Sequence, residues 1–265
     1  MFVSTAILLA TIGLAAGLLI GCIGIGGVVV VPALVYVVGI PIQTAIAGAI
    51  MGYLFTGLVG TAVYARHKSI RWDMTVWLWA GAMPAALIGA RFIQLADPLL
   101  LELFIGALAL LSGLAALRPP FAAGAKAQSL SKPALAAVGA VTGYASAVTG
   151  TGGPVVLVPI LTWLRIPVLT AIGLGQAIQL PIAVLATAGN IAFGEPDLML
   201  GLLLAVGLSI GTLAGAQLAH KMPRAMLGHA ISGALLIVGG LILLRAARHL
   251  FFSDLVTIFR ANHFL

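Results

Sequence analysis

Residues 21–34 read Gly-Cys-Ile-Gly-Ile-Gly-Gly-Val-Val-Val-Val-Pro-Ala-Leu, inside a long run without charged side chains. The apolar run around this segment is longer than the roughly 20 residues that a helix needs to cross a bilayer. Glycine and proline both disfavour a continuous helix. The sequence therefore predicts that the first hydrophobic element, residues 3–38, is a membrane helix broken near mid-membrane or a re-entrant hairpin.

The composition indicates that most of the chain is surrounded by lipid. The 265 residues are 62% hydrophobic and 7% charged, whereas a soluble domain carries about 25% charged residues. A soluble fold of this size cannot hide so much apolar surface from water. This excludes a cytosolic enzyme, a nucleic-acid binder and a disordered chain. The net charge of +7 lies mostly in short loops, where it indicates membrane topology and contact with anionic lipid headgroups.

The glycine-rich segment occurs twice, at an offset of 126 residues. Residues 147–160 read Ala-Val-Thr-Gly-Thr-Gly-Gly-Pro-Val-Val-Leu-Val-Pro-Ile, and the same offset relates Pro41 to Pro167 and Gly89 to Gly215. We interpret the chain as two homologous membrane repeats. Its parts are repeat 1 (residues 1–117), a cytoplasmic Pro/Gly-bearing linker (118–133), repeat 2 (134–245) and an amphipathic C-terminal tail (246–265).

Each repeat contains four hydrophobic elements, of which the first is the broken one. Non-helical backbone at mid-membrane depth is tolerated only where it is buried in protein or lines a wet cavity. Two broken elements at matching positions are the sequence pattern that best indicates a transporter binding site, and close helix packing through glycine is the alternative. The elements are 3–38, 43–65, 74–95 and 98–117 in repeat 1, and 134–164, 169–192, 198–219 and 224–245 in repeat 2.

Two topologies compete for this all-α polytopic membrane protein. If each broken element returns to the side from which it enters, the repeats are inverted; if it crosses once, they are parallel. Both place nine Lys and Arg residues inside and four outside, so the positive-inside rule does not decide between them. The purely acidic loop 194–197, opposite in charge to the basic loop 66–71, favours inverted repeats with both termini outside.

The residues that catalysis needs are absent from the predicted membrane core. The six acidic residues lie in loops or near predicted helix ends, and the five histidines show no metal-ligand spacing. The single cysteine excludes a disulfide framework. We therefore predict that the chain is not an enzyme and has no metal site and no cofactor.

The two breaks offer hydrogen-bond donors for an anion. A helix that restarts after a glycine-rich turn presents free backbone N–H groups and the positive end of its dipole, and glycine lets an oxyanion approach that backbone. Arg91 and Glu102, which we place at helix ends, are candidates for gating or coupling. The candidate substrate-binding residues are Cys22, Gly24, Gly26, Gly27, Thr44, Ser146, Thr149, Gly150, Thr151, Gly152, Gly153, Gln176 and Gln179. For the two glutamines, interhelical hydrogen bonding is the alternative role.

The paired motifs at 21–34 and 147–160, with the Pro-x-x-Thr-Ala-Ile segments that follow them, resemble the sulfite exporter TauE/SafE family, also called the toluene sulfonate uptake permeases. The resemblance covers nearly the whole chain. It implies a multi-pass transporter of sulfur-containing anions in the bacterial inner membrane. Many relatives have a third consecutive glycine where this chain has Val28 and Pro154.

The function that we predict is export of a sulfur-containing or organic anion, such as sulfite, sulfoacetate or another organosulfonate, by alternating access around a midplane site. The first alternative is an anion channel or uniporter for small carboxylates or inorganic anions. The second is a membrane structural subunit that transports nothing. The expected partners are a small anionic substrate, the lipid bilayer and, for a homodimer, a second copy of the chain; nucleic acid is not expected.

Overall fold

The structure is a computed structural model and describes residues 2–117, 130–194 and 196–262. Within these residues all regular secondary structure is helical. A short π-helical segment, Leu34–Val38, continues the second helix. The helices are α1 (Phe2–Ile23), α2 (Gly27–Ala33), α3 (Ile42–Arg66), α4 (Trp72–Ile93), α5 (Pro98–Ala116), α6 (Lys132–Thr149), α7 (Gly153–Trp163), α8 (Val168–Phe193), α9 (Leu198–Ala219) and α10 (Arg224–Asn262).

The predicted polytopic helical class is confirmed. Among the described residues, five helices are long and apolar enough to cross a membrane by length and composition. Shorter apolar helices lie at Gly27–Val38, Pro98–Leu114 and Gly153–Trp163. The five candidate spans are Thr5–Ile23, Ile42–Arg66, Trp72–Ile93, Val168–Phe193 and Leu198–Ala219.

Both predicted interruptions are present. Helix α1 ends at Ile23 and α2 begins at Gly27, while α6 ends at Thr149 and α7 begins at Gly153. Each first helix is followed by a glycine with positive φ, at 80° for Gly24 and 60° for Gly150. Glycine adopts this left-handed conformation without the steric penalty of a Cβ, which is why it so often follows the last turn of a helix.

Helices of each half pack against helices of the other half, and corresponding helices have corresponding partners. Helix α1 packs along α9 of the other half, and its counterpart α6 packs along α4. In the same way α3 contacts α9 while α8 contacts α4. The counterparts α3 and α8 pack directly against each other, as do α5 and α10. The set of packed pairs is therefore unchanged when the two halves are exchanged.

The long contact between α1 and α9 depends on glycine. A Cβ at Gly17 would overlap the carbonyl oxygen of Leu208, and a Cβ at Gly21 would overlap that of Thr212. Both contacts advance in the same direction along the chain, so the two helices run parallel. Small residues four apart allow helix backbones to approach closely in lipid. Helices α4 and α6 make the equivalent parallel contact.

The counterpart helices instead run antiparallel. A Cβ at Gly57 would lie 3.2 Å from Leu180, whereas a Cβ at Gly173 would lie 3.2 Å from Tyr64. Residue numbers along α3 thus rise as those along α8 fall. Helices α5 and α10 show the same relation, through the pairs Gly106–Leu243 and Gly113–Leu236.

Two parts of the predicted organisation lie partly outside the described residues. Residues 118–129 of the linker are not described, and α6 begins at Lys132. The helix that begins at Arg224 continues without a break to Asn262, through most of the segment that we predicted as a separate tail.

Candidate functional site

The two breaks contact each other at the centre of the protein. A Cβ at Gly27 would overlap the carbonyl oxygen of Thr151, and a Cβ at Gly24 would lie 2.9 Å from the Cβ of Pro154. Every residue from 20 to 28 and from 145 to 159 is buried. Segments that lie 126 residues apart in sequence therefore form one buried cluster, which we call the central crossing.

The central crossing lies at the middle depth of the long helices. The Tyr53 hydroxyl donates to the carbonyl oxygen of Gly27 at 3.2 Å, and Tyr53 is close to the midpoint of Ile42–Arg66. A Cβ at Gly153 would lie 2.5 Å from Ile178, which is close to the midpoint of Val168–Phe193. Helices α2 and α7 thus both begin near the middle of the two longest candidate spans.

Side chains from other helices satisfy the last carbonyl groups of α1. The Gln176 amide nitrogen donates to the carbonyl oxygen of Ile20 at 2.7 Å, and the Tyr64 hydroxyl donates to that of Gly21 at 2.9 Å. The last carbonyls of a helix have no partner within it, and leaving them bare in lipid is costly. The Ile20 carbonyl also accepts the N–H of Gly24 at 2.9 Å, so Gln176 adds a second hydrogen bond to it, whereas Tyr64 supplies the bond to Gly21. The Oε1 atom of Gln176 has no hydrogen-bond partner among the described residues, although the side chain is 0% exposed.

The hydroxyl groups of the second break are bonded to one another and to the main chain. Ser146 donates to the carbonyl oxygen of Gly152 at 2.9 Å, and Thr149 donates to that of Ala145 at 2.7 Å. The Thr149 and Thr151 hydroxyl oxygens are 2.7 Å apart. Since the single Thr149 proton goes to Ala145, the proton between the two threonines belongs to Thr151. All three hydroxyl protons are therefore used inside the protein.

Gln179 joins α8 to α3 beside the second break. Its amide nitrogen donates to the carbonyl oxygen of Tyr53 at 3.1 Å and also to the hydroxyl of Thr56. The side chain is 1% exposed. Gln176 and Gln179 both make the interhelical hydrogen bonds that were the alternative to ligand binding.

The donors that remain at the central crossing are backbone amides. Glycine occupies the N-cap position of both helices, Gly26 before α2 and Gly152 before α7. The cap residue therefore offers no side-chain oxygen to the first amides of either helix. At the start of α2, the N–H groups of residues 28–30 form turn bonds to the carbonyls of residues 25 and 26. Among the described residues no such turn bond involves the N–H of Val155 or Val156 at the start of α7. The second break therefore presents more unbonded amides than the first, together with the positive end of the longer helix.

Two further predicted ligands are Cys22, in the last turn of α1 at the first break, and Thr44, in α3. The Cys22 sulfur is 3.5 Å from that of Met222, in the connection after α9. Thr44 is half-buried in the first turn of α3. Its neighbour Ile46 packs against Gly150.

The two candidates for gating or coupling lie elsewhere. The Arg91 guanidinium is 5.1 Å from the centre of the Phe193 ring and is exposed. Glu102 lies beside the hydroxyl of Tyr36, whose ring is covered by Arg245 at 3.6 Å. The structure brings neither residue to the breaks.

Several residues of α3 that bond to the central crossing or to Gln179 were missed in the sequence. Tyr53, Tyr64 and Thr56 were passed over because aromatic and threonine side chains are unremarkable in an apolar helix. The repeat offset contained the signal, since Tyr53 stands 126 residues before Gln179, and Tyr64 the same distance before Asn190. The buried hydroxyls of the equivalent residues Thr61 and Thr187, and both amide atoms of Asn190, have no hydrogen-bond partner among the described residues.

Paired helix breaks that meet at mid-membrane within a bundle of apolar helices are typical of membrane transporters. Comparison with known proteins gives the particular family. The family model described as sulfite exporter TauE/SafE matches residues 9–242. The chain therefore belongs to the TauE/SafE family of membrane transporters and is not an enzyme.

A curated relative is distant in sequence. The chain is 22% identical to the "Probable membrane transporter protein YunE" of Bacillus subtilis (strain 168), over 88% of this chain and 95% of that protein. No solved structure matches the chain.

Proposed function

We propose that this transporter carries a small sulfur-containing or organic oxyanion, such as sulfite, sulfoacetate or another organosulfonate, out of the cell across the bacterial inner membrane. The observation that carries the proposal is the uncapped start of α7, at Gly152 and Gly153, buried at mid-membrane depth. Backbone N–H groups and the helix dipole at this point bind an anion without a buried cation. Export is the direction that an inside-negative membrane potential favours, by about 2.3 kcal/mol per charge per 100 mV.

The charge of the surroundings also supports an anion. Cation sites within a membrane commonly use embedded Asp or Glu. Here the described acidic residues before α10 lie in the first two turns of a helix or just before it: Asp73, Asp97, Glu102 and Asp197. The hydroxyl protons of Ser146, Thr149 and Thr151 already bond within the protein. We therefore assign the main contacts of the anion to the amides at the start of α7, and a supporting role to those three residues.

Alternating access follows if the two halves are inverted repeats. Counterpart helices related by a two-fold axis run antiparallel only when that axis is perpendicular to them, in the membrane plane. The antiparallel pairs α3/α8 and α5/α10 support this arrangement. The 3.1 Å contact between Ser69 and His220 also supports it, because it joins two loops that parallel repeats would place on opposite sides. Rocking of one half against the other would then open the buried central crossing to each side in turn.

Flux measurements in proteoliposomes test the proposal. We expect saturable movement of radiolabelled sulfite or sulfoacetate, with counterflow when unlabelled anion is trapped on the other side. Flux that does not saturate and shows no counterflow would favour the channel or uniporter. Absence of flux for all sulfonates, carboxylates and inorganic anions would favour a structural subunit.

Gly152→Ala tests the site, and Gly39→Ala controls for the general effect of placing alanine at positive φ. Gly152 and Gly39 have φ of 76° and 82°, where alanine is disfavoured, and Gly152 is the more strained position because its ψ is 163° while that of Gly39 is 24°. A Cβ at Gly39 would contact nothing within 4 Å, and a Cβ at Gly152 would lie 3.4 Å from Gln179 Oε1. We expect Gly152→Ala to reduce transport at least about tenfold and Gly39→Ala to retain it at similar membrane abundance. Equal transport by both variants would show that the assigned site is wrong.

A further inference from the structure

We propose that the groove between α2 and α10 binds an anionic phospholipid, with its phosphate at Arg245 and Arg248 and an acyl chain directed toward mid-membrane. The groove has a volume of about 690 Å³, which is the size of a small-molecule pocket. One wall is formed by α2 and the π-helical segment that follows it, and the other by α10.

The groove is apolar at one end and basic at the other, as a phospholipid is apolar along its acyl chains and anionic at its phosphate. The deep end, at Val29 and Val238, is apolar. The other end holds Tyr36, Arg245 and Arg248. Since α2 begins at mid-membrane and its π-helical continuation ends at the loop before α3, the basic end lies toward the membrane surface. Val238 and Arg245 are seven residues apart on α10, a rise of about 10 Å, so the groove spans much of one leaflet.

The two arginines are free to bind a phosphate. The Arg245 Cζ lies over the Tyr36 ring, 3.6 Å from the ring centre. This cation–π contact holds the guanidinium at the end of the groove, where its N–H groups can form bidentate bonds to phosphate oxygens. Among the described residues neither Arg245 nor Arg248 forms a salt bridge, and Glu102 is directed to the Tyr36 hydroxyl.

The rims of the groove identify the occupant as a lipid rather than a dissolved ion. Val37 is 65% exposed, Leu241 63% and Leu244 64%. In a helix bundle of this class, exposed aliphatic side chains at this depth face hydrocarbon. A ligand therefore reaches the groove sideways from the bilayer, and its apolar part stays in contact with these rims.

Native mass spectrometry of the full chain in mild detergent tests the proposal, with added phosphatidylglycerol or phosphatidylcholine of identical acyl chains. We expect tight binding of phosphatidylglycerol and weak binding of phosphatidylcholine. The double variant R245A/R248A should weaken phosphatidylglycerol binding by about tenfold or more. Arg91→Ala removes an exposed cation outside the groove and should leave lipid binding unchanged.

A second variant, Ala33→Trp, fills the groove while keeping both arginines and should also weaken phosphatidylglycerol binding. If R245A/R248A and the unmodified protein bind phosphatidylglycerol equally, or if both lipids bind equally, the proposal is wrong. Displacement of the lipid by an equal concentration of glycerol 3-phosphate would identify a site for free phosphate instead. A lipid-free dimer that dissociates in R245A/R248A would identify a second copy of the chain as the occupant.

Discussion

At the scale of single residues, the contact at Gly27 shows why the central crossing depends on glycine. The Cα of Gly27 lies against the main chain of Thr151, so any side chain here would meet backbone that cannot rotate away. This requirement comes from one break passing the other, independently of any ligand.

Gly27→Ala should therefore destabilise the protein strongly. Overpacking against a backbone typically costs about 1–3 kcal/mol, and we expect a lower midpoint of thermal unfolding in detergent together with a reduced yield. Gly240→Ala is the matched control, because a Cβ there would have no neighbour within 4 Å. That variant should be neutral or slightly more stable, since alanine is the better helix former. Equal stability of the two variants would argue against the crossing as described.

The sequence allowed the position of the breaks to be predicted, but not the use of each polar side chain. Gln176, Gln179 and Ser146 were recognised as polar groups near a break, which their spacing from the glycine motif makes plain. Whether an amide binds a ligand or a main-chain carbonyl depends on which carbonyls the fold brings within its reach. That is decided by contacts such as Gln176 to Ile20, between residues 156 apart, and no local pattern contains it.

At the scale of elements, the interrupted helix α1 is held at its end by its neighbours. Tyr64 of α3 and Gln176 of α8 both donate to carbonyls in its last turn. Packing partners were not predictable from the sequence, because both the buried and the lipid-facing sides of a membrane helix are apolar. Helix boundaries that charges, glycine or proline mark were predictable, whereas the end of α10 was predicted at 245 and lies at Asn262. The predicted elements 43–65 and 198–219 correspond to Ile42–Arg66 and Leu198–Ala219.

Tyr64→Phe tests the cap on α1. It removes the donor to Gly21 while keeping the ring, and it leaves a buried carbonyl without a partner, at a cost of about 1–3 kcal/mol. We expect a lower thermal midpoint and faster amide hydrogen exchange in the last turn of α1. Tyr144→Phe is the control, because Tyr144 is half-buried and contacts Phe92 through its ring. A Tyr64→Phe protein as stable as Tyr144→Phe would show that the cap contributes nothing.

The junction between the end of α3 and the end of α9 should make stability depend on pH. His220 stacks on His67 with 4.0 Å between ring centres. Burial lowers the pKa of His220 below its ordinary value near 6.5; its hydrogen bond to Ala216 opposes this shift and the neighbouring His67 adds to it. The unfolded chain therefore binds the proton more readily than the folded one. The stabilisation is present above about pH 6.5 and is lost as the pH falls below that value.

Thermal midpoints at pH 8 and pH 5 measure this effect. We expect the unmodified protein to lose stability between the two, and His220→Gln, which cannot titrate, to lose less. A loss of the same size in His220→Gln would assign the pH dependence to other groups.

At the scale of the whole molecule, charge and packing bear on different questions. The positive-inside count is nine to four for inverted and parallel repeats alike. Changing from one topology to the other moves equal numbers of Lys and Arg residues inward and outward. Packing bears on the choice, since an antiparallel contact between counterpart helices is what the inverted arrangement that we propose would produce. Sequence periodicity could not supply that information, because direction relative to a partner appears only after the helices have associated.

Cysteine labelling of the intact chain in cells tests the inverted arrangement that we propose. Cys22 is the single cysteine, so a Cys22→Ser background allows cysteine to be placed at Lys68, Lys221 or Leu95 in turn. The contact of Ser69 with His220 joins the first two loops, whereas Leu95 lies at the opposite end of α4 and is 72% exposed. We expect a membrane-impermeant maleimide to label Leu95→Cys in intact cells, and Lys68→Cys and Lys221→Cys only after lysis. Labelling of Lys68→Cys and Lys221→Cys from opposite sides would require parallel repeats, and the rocking mechanism would then lose its geometric basis.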